Sequence, residues 1–357
     1  MKTHAAIAFS CDADIEIREV DLAEPAPGEV RVRMEACGIC RSDLSALEGK
    51  ETVEFPVVLG HEGAGLIEAV GADVSNVEVG DRVVLSWTPA CGVCAGCLRG
   101  ELQLCEQINM TTGSTGPLSL DGRSLDRFMG LGAFSEYVVV PEAMAIAIDS
   151  RLHSSHTCLI GCGVTTGFGA AVNTASIRWG ESVAIFGCGG VGLAAIQGAR
   201  VAGAVRIIAV DPIKERRQAA LRVGATTALD SAGAVAQILG DTRGGVDVAI
   251  ECVGKPSTMQ DAFNVLRAGG RSIVVGLPAY TEMLEIPAIM LLREKSIKGS
   301  VYGSSNPRID FQKIASLGEN GQLNFDLLVD KIRPFSEINE GFAEMREGKL
   351  TRVVLTF

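Results

Sequence analysis

The chain has 357 residues, 47% of them hydrophobic, which is enough for two domains with separate cores. Its formal net charge of −11 argues against nucleic acid or an anionic membrane as a partner, and no apolar stretch approaches the ~20 residues of a bilayer span. The N-terminal residues lack a secretory signal, so we expect a cytoplasmic protein whose 11 cysteines serve as metal ligands or thiols rather than disulfides.

Residues 1 to about 85 are predicted to be rich in β-strands because apolar and polar residues alternate through much of this part. A cysteine-rich segment follows at 91–105. The polar, glycine-rich stretch 111–127 is expected to be a surface loop. Strands are predicted at 6–9, 15–20, 30–36, 63–71, 81–85 and 134–140.

From about residue 164, continuous apolar runs alternate with helical stretches, which indicates buried parallel strands in a doubly wound sheet. Helical patterns return after residue 303, and an apolar strand closes the chain. The predicted fold is therefore α/β: a β-rich domain from residues 1–163 and 304–357, with a Rossmann domain inserted at 164–303. The apolar runs lie at 183–187, 207–211, 246–250, 272–276, 297–301 and 353–357.

A dinucleotide site is predicted where the apolar run 183–187 enters a glycine turn. Gly187, Gly189 and Gly192 fit G-x-G-x-x-G, whose glycines allow a tight turn, close approach to a pyrophosphate, and close packing of helix on strand. The following helix presents free N–H groups to the phosphates. Asp211 ends the next apolar run, near the ~20-residue offset of the acid that binds the adenosine ribose.

Four cysteines within fifteen residues predict a structural zinc site. Cys91, Cys94, Cys97 and Cys105 lie in a glycine-punctuated loop, and four thiolates form a closed tetrahedral site. The loop has few apolar residues, so the metal would supply much of its folding free energy.

Three further candidates, Cys40, His61 and Cys162, are far apart in the chain. Cys₂His with an open fourth position is a known catalytic zinc set. Spacing alone does not join these residues, and each could equally be a buried core side chain.

The order of these motifs resembles the zinc-dependent medium-chain alcohol dehydrogenases over essentially the whole chain, with the animal-type and aryl-alcohol branches most similar. This family combines a GroES-like β-rich catalytic domain with a Rossmann domain. The motifs that carry the resemblance are Cys37 to Asp43, Gly60-His61-Glu62-Gly63, the four-cysteine loop, Cys162 with Thr165-Thr166-Gly167, the glycine turn at Gly187, and Arg352.

The resemblance implies two zinc ions per chain and NAD as cofactor. Cys40, His61 and Cys162 would hold the catalytic zinc, with Glu62 behind it and Asp43 fixing the tautomer of His61. Cys158 rivals Cys162, but its surroundings do not match the motif. The remaining cysteines, Cys11, Cys37, Cys158, Cys188 and Cys252, would be buried thiols. The implied cofactor-binding residues are Arg41, Thr166, Gly187, Gly189, Gly190, Val191, Gly192, Asp211, Arg216, Val275 and Arg352, of which Arg41 and Arg352 would contact the pyrophosphate.

By the same resemblance the reaction is reversible hydride transfer between a small primary alcohol and NAD, in a homodimer paired through 296–301. Ser42 would take the alcohol proton, and Trp87 would narrow the substrate pocket. The relay histidine of the animal-type enzymes is replaced by Ser45. Asn109 stands where glutathione-dependent formaldehyde dehydrogenases carry an arginine, which disfavours S-(hydroxymethyl)glutathione as substrate.

Three alternatives were weighed against this interpretation. A zinc-free quinone reductase is disfavoured because Cys40, His61 and Cys162 are all present. A nicotinoprotein, which retains its cofactor permanently, is not excluded by sequence. A binding protein on a retired dehydrogenase scaffold should have lost zinc ligands, and none is missing.

Overall fold

The computed structural model describes residues 1–51, 53–108, 116–348 and 350–357. The chain forms two compact units, one of Met1–Cys162 with Asn306–Phe357 and the other of Gly163–Ser305. These boundaries lie one and two residues from the predicted ones. Within the described residues, no helix has both the length and the apolar character needed to cross a membrane.

The elements are numbered here in chain order. The strands are β1 Lys2–Ala8, β2 Glu16–Leu22, β3 Glu29–Ile39, β4 Val57–Val58, β5 Glu62–Val70, β6 Arg82–Leu85, β7 Leu118–Leu120, β8 Arg123–Ser124, β9 Asp126–Arg127, β10 Tyr137–Pro141, β11 Ala145–Ala147, β12 Ser182–Phe186, β13 Arg206–Val210, β14 Thr227–Leu229, β15 Val246–Glu251, β16 Leu266–Val274, β17 Ser296–Gly299, β18 Lys331–Pro334 and β19 Val353–Thr356. The α-helices are α1 Arg41–Leu47, α2 Ala95–Leu98, α3 Ser154–Thr157, α4 Gly163–Gly169, α5 Gly190–Val201, α6 Lys214–Val223, α7 Ala234–Asp241, α8 Pro256–Asn264, α9 Pro307–Glu319 and α10 Ile338–Arg346.

The first unit contains two sheets, and the second of them positions the zinc ligands. One sheet has the order β8-β7-β2-β1-β4-β9, and the other has β11-β6-β5-β3-β19-β18, with β10 also pairing with β3. Strand β3 lies between β5 and β19, both antiparallel to it. Gly38 is therefore opposite Glu62, and Ile39 is opposite Val353. This register brings residues from three distant parts of the chain to the end of β3.

The expectation of a surface loop at 111–127 is wrong for the part that the structure describes. Residues 118–127 form β7, β8 and β9, which pair with β2 and β4, while residues 109–115 lie outside the described part. The cause is burial: Leu118 and Leu125 are each 1% exposed, in an apolar cluster with Ile7 and Val20. Three leucines in a stretch that is otherwise polar and glycine-rich are too few to set a recognisable period, so the sequence did not reveal this hairpin.

The second unit is built on an entirely parallel sheet with the order β14-β13-β12-β15-β16-β17. The strand order reverses beside β12, and ligands of such sheets bind at the carboxyl ends near this point. Phe186, Ile208 and Ala249 are buried in its core. The predicted α/β fold class is thus confirmed, although the short strand β14 was not predicted.

Candidate zinc and dinucleotide sites

Asp43 organises the first candidate site from the first turn of α1. Its Oδ2 accepts a hydrogen bond from the Cys40 backbone N–H at 2.9 Å, and its Oδ1 accepts one from Gly60 N–H at 2.9 Å. The same Oδ1 lies 3.1 Å from His61 Nδ1, and both side chains are fully buried. A carboxylate on Nδ1 holds the imidazole in the tautomer whose Nε2 can bind a metal.

Four donor groups meet on the other side of His61. Ligand atoms of Cys40, His61, Glu62 and Cys162 all lie within 4.8 Å of one another. Among the described residues His61 Nε2 is buried and makes no hydrogen bond of acceptable geometry, an arrangement that is costly unless a ligand is bound. The set fits a catalytic zinc, since Cys₂His leaves a position open for substrate. The structure therefore brings together residues whose spacing in the sequence did not predict that they meet.

The pKa values of the two thiols of the set are shifted in opposite directions. Their mutual hydrogen bond lowers the pKa of Cys40 well below the ordinary thiol range and raises that of Cys162. Metal ligation requires the thiolate form of both residues, so binding of a cation would release protons from this pair. Cys158, the rival of Cys162, is outside this set; it is fully buried, and its thiol contacts the Ser155 carbonyl oxygen.

An ion pair lies behind the ligands. Arg352 Nη1 is 3.1 Å from Glu62 Oε2 and donates to the Ile39 carbonyl oxygen at 3.1 Å. Burial raises the pKa of Glu62 to about 8, although the Arg352 guanidinium opposes this rise. Gly38 leaves room for the carboxylate, because a Cβ there would collide with it. Sequence reasoning missed this pairing, and contact of Arg352 with a pyrophosphate stays a prediction.

Two other predicted residues, Arg41 and Ser42, lie in the first turn of α1. Ser42 Oγ is 4.0 Å from Cys40 Sγ and is partly exposed, while Arg41 is exposed. Trp87 is buried in the segment after β6. Phe128, which the sequence analysis did not single out, packs edge-on against the His61 ring with centroids 5.5 Å apart. Phe128 directly follows residues 111–127. Because that stretch was predicted to be a surface loop, there was no reason in the sequence to place Phe128 beside His61.

The four-cysteine loop also has the geometry of a zinc site. The Sγ atoms of Cys91, Cys94, Cys97 and Cys105 lie within 4.8 Å of one another, with Cys91 and Cys97 3.9 Å apart. Tetrahedral ligands at the Zn–S distance of ~2.3 Å would be about 3.8 Å apart. Backbone N–H groups of Cys97 and Glu106 donate to Cys94 Sγ and lower the pKa of Cys94 to about 6. The loop is thus arranged to hold thiolates around a structural ion.

The prediction that all the remaining cysteines are buried needs correction. Cys37, Cys158 and Cys188 are buried, but Cys252 is only partly buried and Cys11 is exposed. Cys11 lies in the turn between β1 and β2, where no sheet covers it.

The glycine turn of the second unit adopts the predicted conformation. Gly187, with φ of +90°, follows β12, and a Cβ on Gly192 would overlap the Gly187 carbonyl oxygen. Helix α5 starts at Gly190 after the cap residue Gly189, where a Cβ would meet nothing. Gly189, Gly190 and Val191 are partly exposed. At Gly189 there is therefore open space beside the N-terminus of α5, where a phosphate is expected to bind.

Asp211 has a second role that the sequence did not suggest. Its Oδ2 accepts from Cys188 N–H and its Oδ1 from Ile213 N–H, both at 2.8 Å, so it ties the glycine turn to the end of β13. Arg217 is bonded to the Asp211 and Pro212 carbonyl oxygens and to Asp230. Ribose contacts of Asp211 and Arg216, nicotinamide contacts of Thr166 and Val191, and the assignment of Val275 to the cofactor site stay predictions; Thr166, Val191, Arg216 and Val275 are partly exposed.

A GroES-like β-rich unit with two cysteine-based zinc sites, joined to a parallel sheet with a glycine turn, defines a zinc-dependent dehydrogenase. Comparisons with known proteins agree. The family model for the alcohol dehydrogenase GroES-like domain matches residues 26–150, and that for zinc-binding dehydrogenases matches residues 190–320. The chain belongs to the zinc-dependent medium-chain alcohol dehydrogenase family, as its motifs predicted, and is an oxidoreductase.

Three relatives illustrate the range of the family. The S-(hydroxymethyl)glutathione dehydrogenase of Saccharomyces cerevisiae is 36% identical over 371 residues, which cover 99% of this chain and 96% of the relative. The crystal structure of benzyl alcohol dehydrogenase from Acinetobacter calcoaceticus has a TM-score of 0.95 at 32% identity, covering 100% of this chain and 99% of that one. A zinc-binding dehydrogenase from Sinorhizobium meliloti 1021, solved bound to NADP, has a TM-score of 0.84 at 30% identity, covering both chains fully.

Proposed function

We propose that this alcohol dehydrogenase oxidises unconjugated primary alcohols, aliphatic or aromatic, to aldehydes with NAD, and catalyses the reverse reaction. The observation that carries the proposal is the convergence of Cys40, Cys162 and Glu62 on the buried Nε2 of His61. A zinc ion held there would supply Lewis-acid polarisation of the substrate oxygen, and the nicotinamide would exchange the hydride.

The chain's own residues supply orientation and a route for the proton. Asp43 keeps His61 in one tautomer, and the Glu62–Arg352 pair places a compensated charge behind the ligands. Ser42 would accept the alcohol proton, which its partial exposure and its position near Cys40 support. Since residue 45 is serine, the proton would leave through water or another group, and small added bases should accelerate turnover.

NAD is proposed as the preferred dinucleotide. Asp211 has a carboxylate at the end of β13, where a ribose is expected and a 2′-phosphate would be repelled. Arg217 is engaged by Asp230 and two carbonyl oxygens, so it has little freedom to neutralise such a phosphate. The NADP found with the Sinorhizobium meliloti relative makes this preference worth testing directly.

Two alternatives concern the substrate and the cofactor. The Saccharomyces cerevisiae relative acts on S-(hydroxymethyl)glutathione. Asn109, which argues against that substrate, lies outside the described residues. A nicotinoprotein would keep its cofactor through desalting, which absorbance of the desalted protein would reveal.

Matched primary and secondary alcohols test the proposed pocket. We expect the primary alcohol to have the higher kcat/KM by about 5- to 100-fold, because one poorly accommodated methyl group costs about 1–3 kcal/mol in a narrow pocket. In Trp87→Ala the ratio should fall towards one, because the large ring no longer narrows the pocket. Initial rates with NAD and each of the two alcohols give the ratio of their kcat/KM values.

The chain offers a matched control in its other tryptophan. Trp179 is 86% exposed, so Trp179→Ala should leave the ratio unchanged. A faster secondary alcohol, or S-(hydroxymethyl)glutathione as the best substrate, would show that this account of the pocket is wrong.

We also propose a homodimer in the cytoplasm, whose reducing conditions preserve thiolate ligands. Strand β17 is an edge of the parallel sheet and is mostly exposed, so a second copy could extend the sheet across a two-fold axis. Sedimentation equilibrium should give twice the 37.4 kDa chain mass. A mass of one chain or of four would contradict the proposal.

A further inference from the structure

The segment Tyr302–Ser304 has an unusual backbone. Three consecutive residues adopt left-handed conformations, with φ of 55°, 65° and 49°, and two of them are not glycine. The Tyr302 side chain is buried. Non-glycine residues persist in this region only when their surroundings hold them there, and such strain is found often at functional sites.

One hydroxyl contacts both the last residue of this segment, Ser304, and Ser300, which lies two residues before the segment. Thr174 Oγ1 is 2.7 Å from Ser300 Oγ and 2.8 Å from Ser304 Oγ. Thr174 and Ser300 are each more than 90% buried, so the bond between them forms away from competing water, whereas Ser304 is partly exposed. Asn173 adds support, since its Nδ2 donates to the Gly303 carbonyl oxygen at 3.3 Å.

Thr174 reaches this position because α4 ends irregularly. The helix continues into a π-turn over Ala170–Thr174, in which Ala175 N–H donates to the Ala170 carbonyl oxygen. Such turns inside helices are frequent at functional sites. The contact between the two segments is close: a Cβ on Gly303 would lie 2.8 Å from the Thr166 carbonyl oxygen.

The segment lies at the edge of the sheet where the nicotinamide half of a dinucleotide is expected. Asp211 follows β13 and the glycine turn follows β12, so a dinucleotide with its adenosine at β13 extends towards β15, β16 and β17. The segment follows β17, and Ser300 N–H donates to the Val274 carbonyl oxygen at 2.8 Å, next to Val275. Neighbouring Thr166 and Val275 are both predicted cofactor residues.

We propose that Thr174 is a positioning residue for the nicotinamide half of the cofactor. Its hydroxyl holds Ser300–Ser304 in the conformation that lines that part of the site, and it acts through this backbone rather than by touching the cofactor. A segment held in place before binding loses less entropy when the cofactor arrives. The proposal rests on the dinucleotide-dependent function described above.

Thr174→Val tests it, because valine has nearly the same shape but no hydroxyl. We expect the Kd of NADH, measured by fluorescence titration, to rise about tenfold, since two hydrogen bonds that hold the segment are lost. ADP-ribose has the adenosine and pyrophosphate but no nicotinamide. The Kd of ADP-ribose, measured by calorimetry, should change by less than about twofold. This ligand binds at the adenosine and pyrophosphate end of the site, where none of the described residues is a hydrogen-bond partner of the Thr174 hydroxyl.

Two further variants keep the test decisive if Thr174→Val folds poorly. Thr174→Ser retains the hydroxyl and should restore NADH binding to within about twofold of the unaltered chain, as only a methyl group is lost. Ser304→Ala removes one of the two bonds and should raise the Kd of NADH by roughly threefold, with no added effect in Thr174→Val/Ser304→Ala.

An unchanged Kd of NADH in folded Thr174→Val and Ser304→Ala would overturn the proposal, as would equal weakening of NADH and ADP-ribose. If the unaltered chain bound neither ligand, the proposed function itself would fail, so the two failures are distinguishable.

Discussion

Replacing Cys162 by alanine is expected to lower kcat on the order of 10³-fold or more, because Lewis-acid polarisation contributes several kcal/mol to such reactions. The variant should also retain one zinc ion per chain where the unaltered protein holds two. Cys162 belongs to the set around His61, whereas the four-cysteine loop is separate and keeps its ion. Steady-state kinetics together with metal analysis of the purified protein measure both effects.

The matched control is the same substitution four residues earlier. Cys158 is fully buried but lies outside the ligand set, so Cys158→Ala should keep two zinc ions and kcat within a few-fold. Brief chelation of the unaltered protein should abolish activity before the second ion leaves, since the four-thiolate site is closed. About one zinc ion per chain in fully active protein would refute the two-site account.

Replacing Asp211 by glycine is expected to reduce the preference for NAD over NADP from on the order of 100-fold to less than about tenfold. A carboxylate and a phosphate charge ~4 Å apart repel by about 4 kcal/mol at an effective dielectric constant of ~20, and nearby Arg216 offsets part of this. The ratio of kcat/KM for the two cofactors, at saturating alcohol, measures the preference.

The design must separate this repulsion from the structural role of Asp211, which also accepts two backbone hydrogen bonds. Loss of those bonds would weaken both cofactors together and leave the ratio intact. Glu215→Gln removes an exposed negative charge nearby in α6 and should leave the ratio unchanged. Equal rates with NAD and NADP in the unaltered protein would show that the assignment of Asp211 is wrong.

Features encoded within a short stretch of chain could be predicted from the sequence. The glycine turn at Gly187–Gly192 and the four cysteines of 91–105 are local, so residue type and spacing together specify their geometry. The parallel strands were visible as continuous apolar runs because both faces of such a sheet are buried. The short strands β14 and β18 were missed, since three or four residue pairs leave no period to recognise.

The grouping of the three candidate zinc ligands was predicted from the family resemblance and not from their spacing. Cys40, His61 and Cys162 are spread over more than 120 residues, and physical reasoning alone left open whether they meet. Only the register of β3 against β5 and β19 brings His61, Glu62 and Arg352 to the end of β3, where Cys40 begins the turn into α1.

What the sequence by itself determined was the fold class, the two local motifs and the family. Only the tertiary structure decided that Leu118 and Leu125 are buried beneath a hairpin, that Arg352 pairs with Glu62, and that Thr174 bonds to Ser300 and Ser304. The reason is physical: hydrogen bonds and burial depend on which distant segments become neighbours. That pairing is fixed by the packing of whole sheets and helices, whereas a local motif carries its own geometry.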